Sequence, residues 1–360
     1  MKKRTSIHDI AKELNVSATT ISFVLNGKAE EKRISGDVKK KVLDYVNQVG
    51  YRLNPIAKSL RTGKTYIVGM LVEDISDPFF SSIGRIIEDN LYKLGYKIFH
   101  SSTDNDTVRA KDLLRMFRDR CVDGYIIAPS PGIEGDIRHL LNNERRPVVL
   151  FDRFFPDLET INVVIDNEGG TYQAAKHLVE NGFSNIAFVT LHSEQNQMSA
   201  RMHGYIKAIN ENNLQSCILK VPYNTEPEDL TKMIRSFIET NREINAILFA
   251  TNYLTVSGLK AISELNLKIP EDIGVAGFDD NIHFSLFSPS ITAIVQPIQE
   301  ISEEVVKQLI AAPNHAEESN KRRTVVLPVK LVVRNSSVAS VKKKIAHNNY
   351  IPCENPLIIK

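Results

Sequence analysis

Cysteine is scarce in this 360-residue chain, and its placement excludes two common uses of it. Cys121, Cys217 and Cys353 are odd in number and far apart, and they form neither a CxxC pair nor a zinc-binding spacing. They are expected to be reduced thiols, as in a cytoplasmic protein. No run of about 18 apolar residues occurs, so no membrane span is expected. The opening MKKRTSIHDI is basic but has no apolar stretch behind it, so no secretory signal is read there. The chain has no GxSxG, no HExxH, no GxGxxG after a strand, and no metal cluster among its nine histidines. Gly63-Lys64-Thr65 looks like the end of a phosphate loop. Lys58 stands where that loop needs glycine, however, and a helix rather than a strand is expected before it. Neither an enzyme activity nor a cofactor nor a metal is expected.

What is present is ordinary in bulk and uneven in detail. The chain is 42% hydrophobic and 24% charged, values typical of a soluble globular protein, and its length suggests two or three domains. The net charge of +2 hides a division. Residues 1–64 hold 14 Lys and Arg against 6 Asp and Glu, while residues 65–360 hold 31 against 37. A basic head on a mildly acidic body fits a polyanion-binding module joined to a part with another task.

The head is organised around Ser6–Asn26, which reads as two short helices joined by a tight turn. Ile7, Ile10, Ala11 and Leu14 form one apolar stripe, and Ser6 with Asp9 offers a capping box. Asn15 stops the first helix, Val16 packs at the turn, and Ser17 caps the second. Ile21, Val24 and Leu25 then face the first helix, leaving Ala18, Thr19, Ser22 and Phe23 on or near the outer face. Small polar residues at the start of a second helix suit a DNA major groove, with Thr19 at a base edge and the hydroxyls of Ser17 and Ser22 on phosphates. A plain helical hairpin would show the same pattern. A third helix is expected over about 35–49, with Val38, Val42, Leu43 and Val46 inward and Gly50 past its end. Its Lys39, Lys40 and Lys41 are candidates for phosphate contact. In NPIAKSLRTGKT, Asn54 and Pro55 open a helix of under two turns, too short to be stable alone in water.

The body alternates strands with helices. YIVGMLVE (66–73), YKIFHSS (96–102), VDGYIIAP (122–129) and RPVVLFD (146–152) are strands. The pattern restarts with INVVIDN (161–167), NIAFVT (185–190), SCILKV (216–221), INAILFA (244–250) and IGVAGFD (273–279). Such alternation implies parallel sheets with helices on both faces, and its repetition implies two similar lobes with a ligand cleft at the carboxyl ends of the strands.

Ser6–Asn26, the third helix and NPIAKSLRTGKT together resemble the DNA-binding head of the lactose/galactose repressor (LacI/GalR) family, and the resemblance continues to about Ser337. It implies an all-α helix-turn-helix head over 1–53, a hinge helix over 54–64, and an α/β effector-binding body of two similar parallel-sheet lobes, as in type I periplasmic binding proteins, over 65–337. Lobe 1 would take about 65–165 and 297–321, and lobe 2 about 166–296 and 322–337, with crossings near 165, 296 and 321. Residues 338–360 would be an unstructured tail. Without leucine heptads there, a homodimer is expected. The implied function is a transcriptional repressor that binds double-stranded DNA at a palindromic operator under control of a small effector, a sugar or sugar derivative.

The resemblance carries DNA contact onto Thr5, Ser17, Ala18, Thr19, Thr20, Ser22, Phe23 and Asn26 in the head. In the hinge it carries it onto Asn54, Ala57, Lys58, Leu60 and Arg61, with Leu60 as an apolar wedge in the minor groove. Phe23 departs from the polar or basic residue common at its position; it can touch a thymine methyl or pack inward. Effector contact is carried onto Phe80, Arg201, Asn252 and Asp279, with Phe79, Arg153 and Asp166 as further candidates. Asp166 also stands where it can simply cap a helix. Tyr253 departs from the Asp common there, and with Arg153, Phe154 and Phe155 it favours a larger or acidic saccharide.

Overall fold

The computed structural model describes residues 5–51, 59, 63–312 and 323–338, and the chain divides after Thr65 into two units. The sequence expectations for residues 52–58, 60–62 and the tail from 339 onward lie outside the described residues.

In the first unit, helices α1 (Ile7–Leu14), α2 (Ala18–Leu25) and α3 (Gly36–Gln48) close on one small core. Ile10, Ile21 and Val42 are each fully buried, with Leu14, Val24 and Val46 around them. The ends of these helices follow local chemistry. The Ser6 hydroxyl accepts from the Asp9 amide at 3.2 Å while the Asp9 carboxylate accepts from the Ser6 amide at 2.8 Å, which is the expected capping box. Asn15 turns left-handed at φ 52°, and the Val16 amide donates back to the Ala11 carbonyl. Gly50 does the same at φ 63° beyond α3, and the Tyr51 amide donates to the Val46 carbonyl. Two details differ from the sequence reading. Leu43 is 38% exposed, because one helical step past Val42 carries it off the core face, and Tyr45 packs there instead. Ala29, in the polar segment after α2, is buried at 1% exposure and completes the core.

In the second unit, two six-stranded sheets form two lobes. The strands in chain order are β1 (Ile67–Val72), β2 (Lys97–Ser102), β3 (Gly124–Ile127), β4 (Val148–Phe151), β5 (Ile161–Ile165), β6 (Ile186–Leu191), β7 (Cys217–Val221), β8 (Ala246–Phe249), β9 (Gly274–Phe278), β10 (Thr292–Val295), β11 (Arg323–Leu327) and β12 (Lys330–Val332). The first sheet runs β11-β5-β4-β3-β1-β2 and is parallel throughout. The second runs β12-β10-β9-β8-β6-β7 and is parallel except at its edge, where β12 pairs antiparallel with β10. That edge follows from the connection. Only Pro328 and Val329 separate β11 from β12, too few residues for a parallel return.

Helices cover both faces of each sheet. The helices that matter for the site are α4 (Pro78–Lys93), α5 (Thr107–Asp119), α6 (Glu134–Asn142), α7 (Asn167–Glu180), α8 (Asn196–Glu211), α9 (Pro227–Thr240), α10 (Asn252–Glu264) and α11 (Ile298–Ala311). Along β1 the faces alternate as the strand period demands. Val68, Met70 and Val72 share a core with Ile83, Ile87 and Leu91 of α4, while Leu71 turns to Leu114 and Phe117 of α5. In the second lobe α7 and α8 lie against each other at Gly204, where an added Cβ would come 2.2 Å from the Glu168 carbonyl oxygen.

The chain passes between the lobes three times. It crosses after β5 and after β10. The third crossing lies between Leu327 and Lys330 rather than near 321. Thr324 to Leu327 are paired with β5, so this stretch belongs to lobe 1 and not to lobe 2.

Ile21→Ala empties a fully buried position between α1 and α2 and is expected to cost about 2–5 kcal/mol. Amide hydrogen exchange in the full chain should show loss of protection within residues 5–51 and none in the sheets of the lobes.

Candidate functional site

The second unit holds a cleft of about 150 Å³ to which both lobes contribute. Its residues follow the carboxyl ends of the parallel strands or open the next helix. Glu73 follows β1, Asp77 caps α4, Asp152 and Arg153 follow β4, Arg201 rises from the first turns of α8, Asn252 opens α10, Asp279 follows β9 and Gln296 follows β10. Strand ends collect side chains here because the backbone of a parallel sheet stops together on one side.

Arg201 is the most constrained of them. It is 2% exposed, and its guanidinium lies over the Phe278 ring with the carbon 3.6 Å from the centroid. Nε donates to Asn167 Oδ1 at 2.8 Å, and Nη1 donates to the Ala250 carbonyl at 2.7 Å and reaches Asp279 Oδ2 at 3.5 Å. Among the described residues Nη2 has no acceptor, which leaves it for a ligand.

Arg153, also 2% exposed, is held on the lobe 1 side. Nη2 donates to Glu73 at 2.7 Å, Nη1 donates to Gln195 Oε1 of lobe 2 at 2.8 Å, and Asp152 lies 3.7 Å from Nε. Other bonds join the lobes. Gln195 Nε2 donates to Asn105 Oδ1 at 3.1 Å and the Phe154 amide donates to Asn196 Oδ1 at 3.3 Å, while Tyr223 of lobe 2 faces Glu73 of lobe 1 across a shared pocket. Burial, with the charge of Glu73, pushes the Tyr223 phenol far above its ordinary value, so it stays a neutral donor.

Asp152 and Asp279 occupy matching places at the ends of β4 and β9, and both are left-handed, at φ 64° and 68°. A non-glycine residue in that region is strained, and such residues cluster at ligand sites. Burial pushes the Asp152 carboxyl up from 3.8 to about 6, against the attraction of Arg153 and Arg201.

Six of the seven expected effector residues line this cleft: Phe79, Phe80, Arg153, Arg201, Asn252 and Asp279. Phe80 is mainly core at 7% exposure. Phe79 is half-buried beside it with ring centroids 5.0 Å apart, and so it offers the apolar wall. Asp166 does not line it. Its side chain accepts from the Gly169 amide at 2.8 Å and caps α7, and the next residue, Asn167, is the one that reaches Arg201. Glu73, Asp77, Asp152, Gln197 and Gln296 line the cleft and were missed. A rule taking the first polar residue after each parallel strand would have found Glu73, Asp152 and Gln296. The expected preference for an acidic saccharide loses its physical basis, because Arg153 is already matched by Glu73 and Asp152.

In the head, Thr5, Ser17 and Thr19 are exposed, and Ala18, Thr20, Ser22, Phe23 and Asn26 are half-buried. Ser17 accepts from the Thr20 amide as the cap of α2, and the two hydroxyls lie 2.8 Å apart. Asn26 closes the helix by donating to the Ser22 carbonyl at 2.6 Å. Phe23 stays out of the core cluster, with Lys32 Nζ 5.7 Å from its ring centroid, whereas Ala18 packs against that cluster. Lys39 pairs with Glu30 at 3.1 Å, while Lys40 and Lys41 are exposed. Asn54, Ala57, Lys58, Leu60 and Arg61 lie outside the described residues.

The raised Asp152 carboxyl has a pH signature. Between about pH 4 and 6 the native state keeps a proton that the unfolded chain has lost, so this group lowers stability as pH rises through that window, and the effect levels off above it. Asp152→Asn keeps the shape and tolerates the left-handed backbone. In urea unfolding it is expected to be more stable than the parent by on the order of 2 kcal/mol at pH 8, with the gain vanishing toward pH 4. A less stable variant at pH 8 would show that the pairing with Arg153 outweighs burial.

Comparison with known proteins agrees with both units. Residues 6–54 match the family described as bacterial regulatory proteins, lacI family, and residues 175–337 match a periplasmic binding protein-like domain. The chain is 32% identical to the HTH-type transcriptional regulator RegA of Clostridium saccharobutylicum, over 93% of this chain and 99% of that one. It is 30% identical to the HTH-type transcriptional repressor PurR of Aliivibrio salmonicida, over 92% and 98%. The crystal structure of the lac repressor dimer bound to operator and the anti-inducer ONPF shares the fold, with a TM-score of 0.81, 21% identity and coverage of 94% of this chain and 100% of that one. A LacI family regulator from Enterococcus faecium with bound ribose has a TM-score of 0.67 and 26% identity, covering 75% and 98%. Among the described residues no helix is long and apolar enough to cross a membrane. The chain therefore belongs to the lacI family of bacterial regulatory proteins and is a DNA-binding transcriptional repressor, not an enzyme.

Proposed function

We propose that this repressor works in the cytoplasm as a homodimer on a palindromic operator, and that a sugar or sugar-like polyol bound between the lobes changes its operator affinity. The observation that carries the effector reading is the free Nη2 edge of Arg201, fixed beside the Asp279 carboxylate and across the cleft from Phe79. A fork donor, a carboxylate acceptor and an aromatic wall are what a polyol needs for its hydroxyl oxygens, its hydroxyl protons and its C–H face. The ribose named with the Enterococcus faecium relative supports the same class.

On the DNA side, Thr19 and Phe23 of α2 meet base edges, while Thr5, Ser17, Ala18, Thr20, Ser22 and Asn26 border the phosphates. Asn54, Ala57, Lys58 and Arg61 hold the hinge on the DNA backbone, and Leu60 is the wedge into the minor groove. Coupling follows from linkage: an effector alters operator affinity only by binding the DNA-bound and free forms unequally.

Selection of bound duplexes from a random pool, with and without a panel of polyols, tests this directly. One palindrome is expected to be enriched and to be gained or lost with one polyol; a pool with no enriched palindrome overturns the dimer reading. Arg201→Lys, which keeps the charge but loses the planar fork, should weaken that polyol by about tenfold or more in a titration. Leu60→Ala should lower specific operator affinity by about tenfold or more at fixed salt, and unchanged affinity would reject the wedge.

A further inference from the structure

The charges in the cleft do not balance, and the imbalance says what the ligand carries. Five carboxylates line it against two guanidinium groups, and neither lysine nor histidine is among its described lining residues. Both guanidiniums are already engaged: Arg153 with Glu73, Gln195 and Asp152, and Arg201 with Asn167, Ala250 and Asp279. That leaves Asp74 and Asp77 of lobe 1 with no cation among the described residues; Asp74 accepts from the Ser76 amide and hydroxyl, while Asp77 faces the same cavity as Asp279 of lobe 2. Burial pushes the Asp77 carboxyl up, the Phe79 amide pulls it back, the charge of Asp279 pushes it up again, and the Asn252 side chain, a neutral donor, pulls it back.

A second, independent feature lies at the same place. Gln296 is 6% exposed and lines the cavity, and its Nε2 donates to Asp279 Oδ1. That bond fixes the orientation of the amide, since the reverse would set an oxygen against a carboxylate. Its Oε1 is then left buried without a partner, and Gln197 Oε1, 3% exposed in the same cavity, is also without one. An unpaired buried acceptor is a standing cost to the fold until a donor arrives. The site is therefore short of donors and of positive charge in one spot, between the two lobes.

We infer that the effector is an amine-bearing polyol, its protonated amine seated between Asp77 and Asp279 and its hydroxyls donating to the amide oxygens of Gln296 and Gln197. Deepening the reading above, this rests on the cleft being the effector site. An ammonium group brings three donors and one positive charge to a place where two carboxylates from opposite lobes repel each other. It also draws the lobes together, because each lobe supplies one of the two carboxylates. A uronic acid or a sugar phosphate would add negative charge to the same spot and is disfavoured.

The test is calorimetric titration of the full chain at pH 7 with hexosamines, their parent hexoses, their N-acetyl derivatives and the matching hexuronates. One hexosamine is expected to bind about tenfold or more tighter than its parent hexose and its N-acetyl form. Asp77→Asn should erase the preference, bringing amine and parent within about twofold of each other. A parent hexose or hexuronate that binds as tightly as the hexosamine overturns the amine assignment and leaves the effector site standing. A preference that survives Asp77→Asn overturns the assignment as well. Silence from every compound in the panel overturns the assignment and the polyol reading together.

Discussion

A guanidinium taken almost completely out of water needs partners from the protein, and Arg201 finds them in four groups of one lobe, with Nη2 left over. Its Nε finds Asn167 at the start of α7, its Nη1 finds the carbonyl of Ala250 after β8 and the carboxylate of Asp279 after β9, and its flat face lies on Phe278. Removing any of these would leave a buried charge or acceptor unmatched, at several kcal/mol. The floor of the cleft is rigid for that reason, and only the edge bearing Nη2 remains open to chemistry. In lobe 1 the corresponding buried cation is Arg153, matched by Glu73 and Asp152 but also by Gln195 from the opposite lobe. One arginine builds a lobe, and the other fastens the two lobes together.

That difference sets a fixed floor in lobe 2 against a polar seam between the lobes. The two sheets share three crossings, so the lobes are tethered at one side of the cleft and joined across it mainly by polar contacts: Arg153 to Gln195, Gln195 to Asn105, and Phe154 to Asn196. Polar contacts between lobes can exchange for water or ligand at small net cost, whereas the apolar cores on either side cannot. In the proposed mechanism, an effector acts on these few hydrogen bonds and on the repulsion of Asp77 and Asp279.

The fold was legible because its signals are periodic. Apolar runs such as YIVGMLVE and NIAFVT are buried on both faces, and the stripes of α1 and α3 repeat at helical spacing. Caps were legible as well, since Ser6, Asn15, Ser17 and Gly50 act on backbone a few residues away. Placement against distant chain was harder to read. The third crossing was misplaced because Thr324–Leu327 looks like any apolar strand until its pairing with β5 is known. Leu43 and Ala29 were misjudged because a single helical step, or a turn in a polar segment, decides which side faces the core. In the site, Arg201, Asn252 and Asp279 came from the resemblance, and the three line one cleft. Asp166 and Asn167 are adjacent and both polar, and only the geometry of α7 separates the cap from the residue that holds Arg201. Glu73, Asp77 and Gln296 carry no local pattern, since what makes them notable is the excess of acceptors they create together.

The proposed regulation requires coupling between the cleft and the head, and thermodynamics makes such coupling reciprocal. The most direct measurement is the affinity of the effector for the full chain, free and saturated with operator duplex, at one salt concentration. The two affinities should differ, by the same factor by which saturating effector changes operator affinity. Equal effector affinity with and without operator would contradict the account, whatever the cleft binds.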